Sequence, residues 1–261
     1  MQDLTVTLVQ THLAWEDIDA NLELINTRID GIEAPTDLII LPEMFSTGFS
    51  MRARTLAEEM TGRAVSWMCA KAAEKDAVIT GSLMVTDGGR YFNRLIWARP
   101  RGDAVTYDKR HLFRYAGEEK VFTPGRRHLT MEIKGWRIRP FICYDLRFPI
   151  WVRNLNLVYD LAVFVANWPA GRAAHWRALL RARAIENQSF VAAVNRVGTD
   201  GNGFEYRGHS ALIDPAGRVL FEEEDTDCTR TLQLKYKTLA DYRSRFPAWM
   251  DADDDLVKAI D

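Results

Sequence analysis

Short runs of wholly apolar residues constrain the fold of this sequence more than any other feature. Residues 38–41 read Leu-Ile-Ile-Leu, and residues 161–166, which follow Asp160, read Leu-Ala-Val-Phe-Val-Ala. Strands with no polar face are typical of sheets that are buried on both sides. Apolar periodicity also predicts helices, over residues 17–29, 64–75 and 173–188. Strands that alternate with helices in both halves of the chain predict an α/β fold with buried central sheets.

The domain organisation predicted from the sequence is simple. The chain has 261 residues, which suits one large domain, and no linker rich in Pro, Gly or Ser divides it. We therefore expect residues 1–261 to form a single domain of two similar halves. The tail from about residue 235 is charged and aromatic, and we expect it to pack on this domain or on a partner subunit.

Composition excludes several classes of protein. The formal net charge is −2, so no excess of positive charge predicts binding to nucleic acid. Only three cysteines occur, at positions 69, 143 and 228, and their spacing fits neither a disulfide framework nor a zinc site. The start of the chain has no signal-peptide pattern, and no apolar stretch reaches the ~18 residues of a membrane span. We expect a cytoplasmic protein that binds neither a membrane nor a metal.

Reactive side chains follow three of the apolar segments at the point where each segment ends. Cys143 follows the predicted strand at residues 136–142, and Glu43 follows Leu41 and Pro42. Lys109 comes shortly after the run at residues 105–107. Catalytic residues at the carboxyl ends of strands are expected in α/β architectures. The sequence therefore raises the question of whether these three side chains converge.

A cysteine nucleophile needs a base or a cation beside it, because the thiolate is the reactive form. None of the five histidines lies in a segment that resembles the surroundings of a papain-type or caspase-type histidine. Glu43 is the better candidate for the base. Lys109 would favour the thiolate and stabilise an oxyanion, and the backbone N–H of Tyr144 is a natural second donor to that oxyanion.

Plainer interpretations apply to each of these residues taken alone. A single buried cysteine is usually a small core residue, which is how we interpret Cys69 and Cys228. Glu43 by itself would be a capping or surface carboxylate, and Lys109 a surface lysine. A redox thiol would need a resolving cysteine close to Cys143, and the sequence indicates none. A binding protein without activity would be expected to lack one member of the set, and all three are present.

Three motifs in order along the chain resemble those of the nitrilase superfamily of carbon–nitrogen hydrolases. They are Leu-Pro-Glu at residues 41–43, Tyr-Asp-Lys-Arg-His-Leu-Phe at residues 107–113 and Ile-Cys-Tyr-Asp-Leu-Arg-Phe at residues 142–148. Supporting matches lie at residues 182–188 and 214–217. Each motif alone is weak, but together they span nearly the whole chain.

The resemblance implies a four-layer α-β-β-α sandwich and an amidase that uses no cofactor. It implies that Glu43 is the general base, Lys109 the oxyanion stabiliser and Cys143 the nucleophile that forms a thioester. A second active-site glutamate is common in the superfamily, and Glu118 matches it best, with Glu119 as the alternative. The resemblance also suggests that the helix over residues 173–188 pairs subunits, so we expect a homodimer.

Within the superfamily, residues 143–149, 159–160 and 165–170 look most like bacterial omega-amidases, which hydrolyse 2-oxoglutaramate and related ω-amides of 2-oxo acids. A substrate carboxylate would need a cation, and Arg147 is the first choice, with Arg172 as the weaker alternative. Trp168 would wall the pocket, and Asn167 would orient a carbonyl. The three motifs are equally compatible with an amidase of deaminated glutathione, a carbamoylase or a nitrilase.

Overall fold

Two β-sheets, each built around three parallel strands, form the centre of the computed structural model, which describes residues 1–253. In this part of the chain the strands are β1 (Leu4–Gln10), β2 (Leu38–Ile40), β3 (Val78–Asp87), β4 (Arg90–Ala98), β5 (Ala104–Asp108), β6 (Met131–Ile133), β7 (Trp136–Ile142), β8 (Leu161–Ala166), β9 (Phe190–Asn195), β10 (Val197–Thr199), β11 (Glu205–Ile213), β12 (Val219–Glu224) and β13 (Cys228–Leu234). The helices are α1 (Ile18–Asp30), α2 (Ala53–Leu56), α3 (Arg63–Lys75), α4 (Pro149–Val152), α5 (Ala173–Asn187) and α6 (Tyr236–Arg245).

The two sheets have related topologies, as the prediction of two similar halves requires. The first has the order β13-β1-β2-β3-β4-β5, and the second has the order β10-β11-β9-β8-β7-β6 with β12 beside β11. In the first sheet β1, β2 and β3 are parallel, and in the second β7, β8 and β9 are parallel. Antiparallel strands extend each parallel core on both sides.

The apolar strands are buried because both faces of each sheet are covered. Val6, Ile40 and Trp97 of the first sheet share a core with Ile138 and Val163 of the second, so the sheets pack face to face. On its other face the first sheet packs against α1 and α3, and the second sheet packs against α5. The chain is therefore the predicted four-layer α-β-β-α sandwich.

The C-terminal segment packs on its own chain through a buried cation. Arg243 of α6 donates to Asp160 Oδ1 at 2.6 Å and to the carbonyl oxygens of Gln188 and Tyr159 at 2.8 and 2.9 Å. Asp160 also accepts from Arg137, so its charge is compensated from both sides. Residues 254–261 of the predicted tail lie outside the described residues. None of the helices in residues 1–253 has the length and apolar character needed to cross a bilayer.

Candidate active site

The ends of β2, β5 and β7 bring Glu43, Lys109 and Cys143 close together. Lys109 Nζ donates to Glu43 Oε1 at 2.8 Å, and neither side chain is more than 1% exposed. Cys143 follows β7 directly and lines the same cavity as Lys109. The residues that the sequence placed at three separate strand ends are thus neighbours in the fold.

Both carboxylate oxygens of Glu43 are occupied by donors. Oε1 accepts from Lys109 Nζ and from Asn93 Nδ2, each at 2.8 Å. Oε2 accepts from the backbone N–H of Asn167 at 2.8 Å. These donors come from β4, from the end of β5 and from the end of β8, so both sheets fix the orientation of the carboxylate. A carboxylate held in this way needs no reorganisation to act on a neighbouring proton donor.

Glu118, rather than Glu119, lies beside this pair. Lys109 Nζ donates to both oxygens of Glu118 at 3.1 and 3.0 Å, and the backbone N–H of Phe113 donates to Oε2 at 2.5 Å. Glu118 is fully buried on a 3₁₀ turn, Glu118–Lys120. The next residue on that turn, Glu119, makes no contact of this kind: its buried Oε2 has no hydrogen bond within residues 1–253.

Asn93 is a central residue of the site that sequence reasoning missed. Its Nδ2 donates to Glu43 and, at 3.1 Å, to Glu118, and its Oδ1 accepts from Ser82 Oγ at 2.8 Å. Ser82 Oγ in turn accepts from the backbone N–H of Met44, the residue after Glu43. The available signal was an asparagine inside a buried strand, where polar side chains are uncommon unless they are paired.

The nucleophile candidate sits in a strained turn. Cys143 has φ +43°, a left-handed conformation that is uncommon for residues other than glycine, and it begins the 3₁₀ turn Cys143–Arg147. The turn is held by Asp145, whose Oδ2 accepts from the backbone N–H of Ile142 at 3.1 Å. Strain of this kind persists only where surrounding contacts determine the conformation, and it concentrates at functional sites.

Asp145 also joins this turn to the segment that carries Lys109. It accepts from the hydroxyl of Tyr107 at 2.6 Å, and from the backbone N–H of His111 at 2.9 Å. His111 Nδ1 lies 2.8 Å from the same carboxylate. Because Tyr107 and His111 flank Lys109 by two residues on either side, Asp145 fixes the lysine relative to Cys143.

Burial and charge set the protonation states at the site. Burial alone would lower the pKa of Lys109, but the carboxylates of Glu118 and Glu43 outweigh it and hold this pKa above its ordinary value. Burial raises the pKa of the Cys143 thiol well above its usual value; Glu43 raises it further, and Lys109 opposes both effects. Burial also raises the pKa of Glu118, against the effect of Lys109. At rest the site therefore holds a charged ammonium and a neutral thiol.

Cys143 opens onto a cavity of about 500 Å³ whose lining includes eight aromatic residues. The aromatic members are Trp15, Phe49, Phe113, Tyr115, Tyr144, Trp168, Phe204 and Tyr206. Tyr144 packs edge-to-face between Phe113 and Phe148, with ring centroids at 5.0 and 5.1 Å. Trp168 is 4% exposed and donates through Nε1 to the carbonyl of Arg172 at 2.8 Å. The predicted wall residue Trp168 thus lines the cavity.

Two guanidinium groups face this cavity without a carboxylate partner among residues 1–253. Arg147 lies over the ring of Trp168 at 4.8 Å and donates to His175 Nδ1 at 3.1 Å. It does not pair with Asp145, whose oxygens are taken by other donors. Arg172 lies over the rings of Phe113 and Tyr115. Both arginines are therefore available to an anionic ligand.

The acidic side chains of the cavity are already engaged. Glu16 accepts from Ser50 Oγ and from Arg52 Nη1, each at 2.5 Å. Asp200 accepts from the hydroxyl of Tyr206 at 2.8 Å and from two backbone N–H groups of its own loop. No group of three or more His, Cys, Asp or Glu in the described chain is arranged to hold a metal ion.

Comparisons with known proteins show which family this chain resembles. The carbon–nitrogen hydrolase family profile matches residues 5–243. Omega-amidase YafV of Escherichia coli is 48% identical over 257 residues, covering 97% of this chain and 98% of the relative. A 2-oxoglutaramate amidase of Bacillus subtilis is 33% identical over 257 residues, with 97% and 98% coverage.

A solved structure shares the whole architecture. It is a CN-hydrolase superfamily protein from Xanthomonas campestris with an arsenic adduct in its active site. This protein is 46% identical to the present chain, with a TM-score of 0.95 and coverage of 97% of this chain and 98% of that chain. The chain belongs to the carbon–nitrogen hydrolase family, within the superfamily that its three motifs predicted.

Proposed function

We propose that this protein is an omega-amidase that releases ammonia from ω-amides of 2-oxo acids, with 2-oxoglutaramate as its main substrate. The similarity to omega-amidase YafV and to a 2-oxoglutaramate amidase over nearly the full chain supports this activity. The structural observation that carries it is the presence of Arg147 and Arg172, without carboxylate partners in residues 1–253, in the cavity that contains Cys143. A small amide with a carboxylate at its other end fits this combination of charges.

In the proposed acylation, Glu43 takes the proton of Cys143 as the sulfur attacks the amide carbon. The carbonyl π electrons move to oxygen, and the oxyanion is held by Lys109 and by the backbone N–H of Tyr144. The carbon–nitrogen bond then breaks, the nitrogen takes the proton back from Glu43, and ammonia leaves a thioester on Cys143. The raised pKa of Cys143 requires this coupling, because little thiolate exists before substrate arrives.

In the proposed deacylation, water gives a proton to Glu43 and adds to the thioester carbon. The second tetrahedral intermediate collapses with loss of the Cys143 thiolate, which is protonated again by Glu43, and the acid is released. Glu118 holds the Lys109 ammonium through both carboxylate oxygens, so it positions the oxyanion donor during both steps.

The assembly and location of the protein belong to the same proposal. We expect a single-domain protein that forms homodimers in the cytoplasm. Exposed apolar side chains on or beside α5, namely Ile185 and Val219, support a subunit contact there. The absence of a disulfide among its three cysteines supports a reducing compartment. Sedimentation velocity at micromolar concentration would give the mass of a dimer; a monomer mass would contradict the assembly.

Ammonia release from purified protein tests the activity. With 2-oxoglutaramate we expect a kcat/KM well above that for pentanamide, a neutral amide of the same chain length. Cys143→Ala should be inactive but folded, whereas Cys69→Ala, a matched control, should keep its activity. Equal turnover of the two amides would refute the substrate class, and activity in Cys143→Ala would refute the mechanism. Parallel assays with a nitrile, an N-carbamoyl amino acid and deaminated glutathione separate the remaining activities of the superfamily.

A further inference from the structure

The side-chain amide of Asn167 has one atom that no group in residues 1–253 satisfies. Asn167 follows β8 directly, is 4% exposed and lines the cavity of Cys143. Its Nδ2 donates to the carbonyl oxygen of Glu43 at 2.6 Å. Because that partner is a carbonyl oxygen, the amide cannot be flipped, and the atom without a hydrogen bond is the buried acceptor Oδ1.

A buried acceptor without a donor is costly to keep, and buried polar atoms are satisfied in the great majority of cases. Asn167 lines the cavity of Cys143, and Oδ1 is the one polar atom of its side chain without a hydrogen-bond partner in residues 1–253. The predicted role of Asn167, orienting a carbonyl, would need a donor instead, and one hydrogen of Nδ2 is already committed to Glu43.

Only one group of the proposed substrates can donate a hydrogen bond to Asn167 Oδ1. In an open-chain ω-amide of a 2-oxo acid, the keto oxygen, the carboxylate and the amide oxygen only accept hydrogen bonds. The donors are the two amide N–H groups. We propose that Asn167 Oδ1 accepts a hydrogen bond from the amide nitrogen of the substrate, so that the site selects primary amides over esters of the same acid. The choice of acid rests on the proposed function.

The contacts of Glu43 place Asn167 apart from the oxyanion donor. Lys109 bonds to Oε1 of Glu43, whereas the backbone N–H of Asn167 bonds to Oε2. The two oxygens of one carboxylate thus separate Lys109, assigned to the substrate oxygen, from Asn167, assigned to the substrate nitrogen. Cys143 Sγ lies 4.0 Å from the backbone oxygen of Asn167, so this residue is also next to the nucleophile.

The test compares 2-oxoglutaramate with its ω-methyl ester, which forms the same thioester but has no N–H group. Asn167→Ala should lower kcat/KM for the amide about tenfold more than for the ester, the effect of one lost hydrogen bond. Asn195→Ala is the matched control. Asn195 holds the same segment through the backbone of Trp168, with bonds of 2.8 and 3.0 Å, and we expect it to lower both values equally.

An equal loss on amide and ester in Asn167→Ala would overturn the proposal. Should Asn167→Ala fail to fold, calorimetry with Cys143→Ala protein gives the same comparison without that variant. There the amide should bind more tightly than the ester, and equal or weaker binding would overturn the proposal. If the wild type prefers another primary amide, the proposed substrate is wrong, and the same ratio measured with that amide and its methyl ester tests Asn167 independently.

Discussion

Asn93 Nδ2 lies 2.8 Å from Glu43 Oε1, and the same amide group also reaches Glu118. One neutral side chain therefore bridges two buried carboxylates, while Lys109 supplies the positive charge between them. An isolated pair of buried carboxylates would repel each other, so the site depends on both of these donors. Asn93 is fully paired through Ser82 on its other side, which leaves the amide a single orientation.

We predict that Asn93→Ala lowers both activity and stability. Glu43 and Glu118 each lose a hydrogen bond to a charged group, and such bonds contribute about 1.5–3 kcal/mol. We expect kcat for the amide to fall about 10- to 100-fold, measured by ammonia release, together with a lower free energy of unfolding in urea. Asn26→Ala, which removes an exposed bond to Asp30, serves as the control. Wild-type kcat in Asn93→Ala would show that the bridge has no catalytic consequence.

Neighbouring glutamates offer a sharp comparison. Glu118→Gln keeps the size of the side chain but removes the charge that holds Lys109, and we expect kcat to fall by about 10²–10³-fold, the effect of losing an oxyanion donor. Glu119→Gln alters a residue outside this network, so it should stay near the wild type. Steady-state kinetics on both variants show which of the two glutamates acts in the active site. Equal effects would contradict the assignment of the second active-site glutamate to Glu118.

The sequence predicted those parts of the site that follow directly from strand ends. Glu43 and Cys143 come immediately after apolar segments, and such runs of apolar residues predict buried strands. Lys109 directly follows β5. The parallel strands of each half then bring their carboxyl ends to one edge of the sheet. The layers of the sandwich were implied by family resemblance, and the sharing of one core by the two sheets bears them out.

The rest could not be predicted, because it depends on tertiary contacts without a local signature. Asn93 meets Glu43 across 50 positions of the chain, through the hairpin pairing of β3 and β4. Glu118 and Glu119 have the same local sequence context, and only the orientation of a 3₁₀ turn separates them. The free oxygen of Asn167 depends on where the loop after β2 passes, which no spacing in the sequence indicates.

The two cavity arginines should govern the preference for a charged substrate. Arg147→Gln is expected to lower kcat/KM for 2-oxoglutaramate about 10- to 100-fold, the effect of a lost charge-assisted hydrogen bond, and to leave pentanamide little changed. Arg172→Gln should have a smaller effect in the same direction. Arg52→Gln is the control, because Arg52 lines the cavity but pairs with Glu16. If all three variants lose the same activity on both amides, the arginines support the fold and do not select the substrate.

The pH dependence of thiol reactivity should report the charge of Glu43. Burial and then Glu43 raise the pKa of Cys143, and Lys109 lowers it. In a Cys69→Ser, Cys228→Ser background, alkylation by iodoacetamide should accelerate only above pH about 8.5, the ordinary thiol value. Glu43→Gln removes a negative charge, so the thiolate forms more easily and the alkylation midpoint should move to lower pH. Lys109→Met should move it to higher pH. Midpoints that stay fixed in both variants would contradict electrostatic coupling among the three residues.

A glycine beside Lys109 should prove intolerant of a side chain. A Cβ at Gly125 would lie 2.1 Å from the carbonyl oxygen of Asp108, and the backbone N–H of Gly125 donates to the carbonyl of Lys109 at 2.9 Å. Gly125→Ala must therefore displace the segment that carries the lysine. We expect a loss of about 1–3 kcal/mol in the free energy of unfolding, as for other overpacked sites, and kcat lowered up to about 10²-fold by misplacement of Lys109. Gly171→Ala is the control, because an added Cβ there meets no atom of the described chain within 4 Å, and it should change neither the stability nor kcat. Wild-type stability and kcat in Gly125→Ala would show that the loop can shift without moving Lys109.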